Sequence, residues 1–156
     1  MQSNFLGELG ITSEAALLAH KLAPLAVRRD IAMLGLLHRI VLGLAPEPFE
    51  SLIWPEPLPN NPRGWRLRRC RHSRQLHDPL ATCRHRVLER SIFGLIHTYN
   101  LLPQHVVDSL SVKTFQRKLQ GAVRNLVERD TLVWPTFLKS GVRRMSAEAF
   151  QTAFSI

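Results

Sequence analysis

Residues 28–46, RRDIAMLGLLHRIVLGLAP, constrain the fold more than any other part of the chain. The apolar run that begins at Ile31 is broken by His38 and Arg39. It therefore falls short of the roughly 18–20 uninterrupted apolar residues that a membrane span requires. Pro24 suits a first helical turn, and Gly43 with Pro46 supplies a stop, so a helix is expected between them. At about 100° per residue, Arg28, Ala32, Gly35, Arg39 and Gly43 fall on one narrow stripe. Val27, Ile31, Met33, Leu34, Leu36, Leu37, Ile40, Val41, Leu42 and Leu44 cover most of the remaining surface. A helix apolar over so much of its circumference belongs at the centre of a core. The small residues of the stripe let another backbone approach closely or leave it facing water.

The remaining periodicity is also helical. Ser13 is a candidate N-cap for a short helix reaching about residue 21, with Glu14 in its first turn. The opening residues NFLGELG read as the last turns of a helix. Residues 45–63 hold six of the ten prolines and read as loop, apart from a helical turn near residues 49–53. In residues 87–103, Leu88, Ile92, Leu95, Ile96 and Tyr99 share a helical face that Pro103 ends, and PQHVVDSL adds a short turn. Residues 112–129 carry the cleanest pattern. Ser111 is the expected N-cap; Val112, Phe115, Leu119, Ala122, Val123 and Leu126 form one stripe, and Lys113, Arg117, Gln120 and Arg124 line the opposite side. A last helix is expected over residues 146–154. The predicted class is all-α, an irregular helical domain with a proline- and arginine-rich middle, its core built on Ile31, Leu34, Leu37, Val41, Ile92, Leu95, Ile96, Phe115 and Leu119.

Charge points toward a partner. The 156 residues carry a formal net charge of +9. Residues 63–90 contain nine arginines and no lysine against Asp78 and Glu89, so 9 − 2 = +7 of that charge lies in one window. Guanidinium forks bind phosphates bidentately, which makes RNA or DNA the expected partner and Arg66, Arg68, Arg69, Arg71, Arg74, Arg84 and Arg86 the expected contacts. The competing reading is a basic loop that binds nothing specific. Low aromatic content argues against an extended base-stacking surface.

Catalysis is not expected. The acids are mostly isolated, no glycine-rich phosphate loop is present, and a two-metal site needs clustered carboxylates. The tripeptide Cys-Arg-His occurs at residues 70–72 and 83–85, with His77 between. Cys70, His72, Cys83 and His85 could in number fill a tetrahedral zinc site, but zinc pairs usually stand two to four residues apart, so no metal and no other cofactor is predicted. With two cysteines and no basic n-region before an apolar stretch, an intracellular location, cytoplasmic or nuclear, is the expectation.

The segments FLGELGIT, LAPLAVRRDIAMLGLLHRIVLGLAP, RHSRQLHDP, RSIFGLIHTYNLLPQHVV and SVKTFQRKLQ occur in an order that resembles the region beyond the thumb of LINE-type (non-LTR) retrotransposon reverse transcriptases, of the jockey and chicken-repeat kind. The resemblance covers roughly residues 4–135. It includes an Asn-x-Leu-Pro helix end at residues 100–103 and a Ser-x-x-x-Phe-x-x-x-Leu helix at Ser111, Phe115 and Leu119. The family's aromatic-x-Asp-Asp motif has no counterpart, for the chain contains no Asp-Asp pair. The resemblance thus implies a non-catalytic remnant of an RNA-directed DNA polymerase that handles nucleic acid, with residues 1–135 as the helical region and 136–156 as a divergent tail. It identifies no individual contact residue. The rival readings are a helical protein-interaction module, self-associating through uncovered apolar faces, and an inert fragment.

Overall fold

The computed structural model describes residues 23–55, 72–81, 86–89, 91–128, 137–138 and 147–155. Their elements run α1 (Leu25–Val41), α2 (Glu47–Glu50), α3 (Arg86–Glu89), a 3-10 turn η1 (Ile92–Leu95), α4 (Ile96–Leu101), α5 (Gln104–Val107), α6 (Val112–Glu128) and α7 (Ala147–Thr152). The class is all-α: among the described residues the only extended pairing is an isolated antiparallel bridge between Pro55 and Leu76. The short helix expected near residues 13–21 lies outside the described residues.

α1 begins and ends as its sequence requires. Pro24 stands at the N-cap in extended backbone, and its carbonyl accepts the Arg28 N–H at 3.1 Å. At the other end Gly43 adopts φ 67°. Its N–H donates to the Ile40 carbonyl at 2.9 Å, while the Leu44 N–H reaches back to Arg39 at 3.0 Å. These two bonds form a Schellman cap, which needs left-handed backbone at the residue that Gly43 occupies. The Arg39 side chain closes the cap by donating from Nε to the Leu44 carbonyl at 2.9 Å.

α1 is packed on several sides, against α6, η1 and α4. It buries Val27, Ile31, Leu34, Gly35, Leu37, His38 and Ile40. α6 supplies Phe115, Leu119, Ala122, Val123 and Leu126, as its stripe predicts, and Lys113, Arg117, Gln120 and Arg124 are exposed. Leu95, Ile96, Tyr99, Val106 and Val107 close the same cluster. Of the predicted core, Val41 and Ile92 are only partly buried at its margin. The small-residue stripe divides between both expected uses. Gly35 is buried beneath the Gln116 side chain, whereas Arg28, Ala32, Arg39 and Gly43 face water.

Two features depart from the sequence reading. Residues 86–101 are not one helix: Ser91 stands in extended backbone and breaks it. Its hydroxyl accepts the Phe93 N–H and donates to the Leu88 carbonyl, so one side chain caps the new turn and seals the old one. α3 is thereby folded back on η1, Leu88 leaves the shared face and is exposed, and the Glu89 carbonyl comes to rest against Gly94. The helical turn expected near residues 49–53 sits slightly earlier, over Glu47–Glu50, with Pro48 in its first turn. The last helix is present as Ala147–Thr152. Within the segment read as a divergent tail, Phe137 stacks on Phe150, Phe154 packs tilted against both with all centroids 4.7–5.8 Å apart, and the three join the same core.

The two glycine contacts are separable by substitution. An added Cβ at Gly94 would strike the backbone oxygen of Glu89, whereas at Gly35 it meets only the end of a flexible Gln116 side chain. Gly94→Ala should therefore cost about 2–3 kcal/mol, at the upper end of overpacking penalties, and Gly35→Ala less than about 1 kcal/mol. Urea denaturation of both variants measures the difference, and equal costs would refute the close approach of α3 to η1.

Candidate nucleic-acid interface

The only stretch of the arginine window described at length is residues 72–81, and it is held by polar bonds to α4 and α5. His72 is buried; its Nε2 lies 3.1 Å from the Tyr99 carbonyl, and its Nδ1 receives the Arg74 N–H at 3.1 Å. Because a carbonyl can only accept, Nε2 carries the proton and Nδ1 is the acceptor. The Ser73 N–H donates to Gln104 Oε1 at 2.9 Å, and Gln104 Nε2 donates back to the Ser73 hydroxyl at 3.0 Å. Asn100 does the same for Leu76, accepting its N–H at 2.9 Å and donating to its carbonyl at 2.7 Å. An amide side chain here supplies the donor and acceptor that a neighbouring strand would otherwise provide.

On its other side this segment meets the proline-rich stretch. The His77 N–H donates to the Trp54 carbonyl at 3.1 Å beside the Pro55–Leu76 bridge. The Trp54 and His77 rings stack with centroids 5.5 Å apart and planes inclined by 14°. Trp54 nonetheless remains 51% exposed. A mainly apolar pocket of about 250 Å³ opens beside the pair, lined by Ser51, Leu52, Trp54, His77, Pro79, Phe93 and Ile96.

Tyr99 connects this region to the core. Its hydroxyl lies 3.1 Å from His38 Nδ1, and His38 Nε2 lies 2.7 Å from the Ser109 carbonyl. The same logic puts the His38 proton on Nε2 and makes Tyr99 the donor. His38 is fully buried and stacks on Phe115 at 4.1 Å with planes 6° apart, while His72 meets the Tyr99 ring edge-on at 5.7 Å. Burial holds both imidazoles below their ordinary pKa. For His38 the Ser109 carbonyl opposes that shift, and Arg74 and Lys118 reinforce it. For His72 the Tyr99 carbonyl and Asp108 oppose it, while Arg74 reinforces it. Burial raises the Tyr99 hydroxyl, keeping it protonated as the donor.

Of the expected phosphate contacts, Arg66, Arg68, Arg69, Arg71 and Arg84 lie outside the described residues, and Arg86 is placed by its backbone in α3. Arg74 is half-buried, and its Nη1 donates to the Val107 carbonyl at 3.1 Å, closing the end of α5. Other cations are also engaged. Arg29 pairs with Asp30 at 3.1 Å, and Lys118 donates to the His105 carbonyl. Lys113, Arg117 and Arg124 form an exposed row on α6. Cys70, Cys83 and His85 also lie outside the described residues, and His72 has both nitrogens committed. Among the described residues no group of three metal-ligating side chains is assembled.

The sequence reading missed His38, Asn100, Gln104 and the Trp54–His77 pair. Only His38 left a signal, since it continues the helical stripe Val27, Ile31, Leu34. Among the described residues no helix is long and apolar enough to cross a membrane. No family model, curated protein or solved structure matches the chain.

The buried histidines fix the sign of the acid response. Their folded pKa values lie below the unfolded value of about 6.5, so the unfolded chain binds more protons at mildly acidic pH. Their contribution to stability is complete above about pH 6.5 and is lost as pH falls toward the lowered folded values. The melting temperature should therefore hold between pH 7 and 8 and fall from about pH 6.5 to 5. A flat profile across that interval would show that the two rings are not buried neutral.

Proposed function

We propose that the chain is a non-catalytic, helical nucleic-acid-binding module of the kind that accompanies LINE-type reverse transcriptases, gripping phosphates through its arginine-rich segment. The observation that carries this reading is the concentration of nine arginines against two acids in residues 63–90. Such a density is costly for a compact fold, because like charges repel, and it is suited to a polyanion. The architecture is compatible with that use. The segment's downstream portion is tied down by hydrogen bonds of His72, Ser73, Arg74 and Leu76 to α4 and α5. The exposed row Lys113, Arg117 and Arg124 adds positive charge on a rigid helix. The motif order described above supplies the family half of the proposal.

The test is the affinity for a labelled single-stranded RNA across a salt series, comparing the native chain with the triple variant Arg68→Ala, Arg69→Ala, Arg71→Ala. Phosphate contacts give a steep decline of log K with log salt, by about 0.7 per contact on a single strand. The variant's slope should be shallower by about 2. No binding at low salt, or an unchanged slope, would leave the window a basic loop without a ligand. Self-association without RNA affinity would favour a protein-interaction module instead.

A further inference from the structure

We infer that the Trp54–His77 stack and its adjoining pocket form a seat for one unpaired nucleobase of a single strand whose phosphates the arginine segment holds. This inference rests on the nucleic-acid reading and specifies the part of the ligand that the arginines cannot recognise.

Exposed tryptophan is expensive. Its large apolar surface is ordinarily buried, yet Trp54 keeps half of its surface open, and Leu52 beside it is 51% exposed as well. The ring is nevertheless held in place. His77 stacks on it, the His77 N–H is bonded to the Trp54 carbonyl, and the isolated Pro55–Leu76 bridge pins the two chain segments next door. A rigid, half-open indole is what base stacking requires, because an aromatic platform that is already ordered loses little entropy when a base is laid on it. The adjoining cavity, at about 250 Å³, is below the ~300–1,000 Å³ of sites that enclose whole small molecules, and it is lined mainly by apolar groups. One planar ring with a polar edge turned to solvent fits that description better than a charged or extended ligand.

Charge selects the occupant. Residues 57–77 contain six arginines and no acid; they follow Trp54 after Pro55 and Glu56 and run up to His77. Arg71 is bonded to His72, and chain connectivity keeps Arg68 and Arg69 within roughly 15 Å of His72. A base stacked beside Trp54 therefore has its own strand within a few nucleotides of a dense phosphate-binding segment. An apolar side chain from a protein partner would gain nothing from those arginines.

The test compares binding of a short oligouridylate and of inorganic polyphosphate, which has charge but no bases, to the native chain and to Trp54→Leu and Trp54→Phe. Trp54→Leu should weaken oligouridylate binding about 5- to 150-fold at fixed salt without changing the salt slope. Trp54→Phe should recover most of the loss, and polyphosphate binding should be the same for all three proteins. Oligouridylate binding unaffected by Trp54→Leu, or equal losses for both ligands, would overturn the seat while a steep native salt slope left the phosphate-binding reading standing. Absence of any RNA binding by the native chain would overturn both. A 5-iodouridine oligonucleotide crosslinked to the native protein tests the seat without a variant: a crosslink at Trp54 or His77 is expected, and crosslinks confined to other residues would refute it.

Discussion

The imidazole of His38 is the joint on which the described fold depends. It projects from the central helix into the solvent-shielded core, where an unsatisfied polar group costs several kcal/mol. That cost is avoided only if Tyr99 on α4 and the Ser109 carbonyl ahead of α6 arrive together. Phe115 must also present its face to the ring. Aliphatic packing among Leu34, Leu37 and Leu119 supplies most of the driving force, but it tolerates sliding. A buried ring with two directional bonds does not, so His38 fixes the register of α1 against three other segments.

Tyr99 carries that constraint outward. Its hydroxyl serves His38 and its carbonyl serves His72, so the core and residues 72–81 share one residue. The chain thereby solves a problem set by its own charge. Arginine side chains resist burial, and the segment is fixed instead by main-chain groups of Ser73 and Leu76 received by Gln104 and Asn100, and by the buried His72 ring donating to the Tyr99 carbonyl. The Pro55–Leu76 bridge joins positions separated by roughly 20 residues, and bringing together ends that far apart adds little entropy cost beyond that of a shorter span.

Periodicity was enough to place α1 and α6, because each buries a continuous stripe, and both ends of α1 have a local cause in Pro24 and the Gly43 cap. It misled at residues 86–101, where the apolar spacing is helical but Ser91 and Gly94 act on the backbone. A stripe count sees side-chain faces and is blind to a serine that caps two turns at once. His38 was legible as a stripe position, although its polarity makes it look like an interruption. The amide clamps of Asn100 and Gln104 were not legible, since their partners stand 24 and 31 residues away. The same holds for Trp54 and His77, which become a pair only through the fold. The arginine cluster is visible in composition alone, and composition says nothing of where a guanidinium points; Arg74, bonded to Val107, shows that membership of the cluster does not assign a task.

That last point separates structural from functional residues in two of the motif-bearing segments. RHSRQLHDP and HTYNLLPQHVV contact one another through His72 with Tyr99, Ser73 with Gln104, Arg74 with Val107 and Leu76 with Asn100. Their joint occurrence therefore has a sufficient explanation in folding, and it lends no weight to ligand binding at those positions. Residues that bind must be sought where polar or aromatic groups are held in place without being used up. By that criterion the half-open indole of Trp54 and the outward row of Lys113, Arg117 and Arg124 stand apart from Arg29, Arg39, Arg74 and Lys118, which already have internal partners. A surface for a polyanion is thus better sought along the outer face of α6 and beside Trp54 than in the tightly bonded turn at residues 72–76.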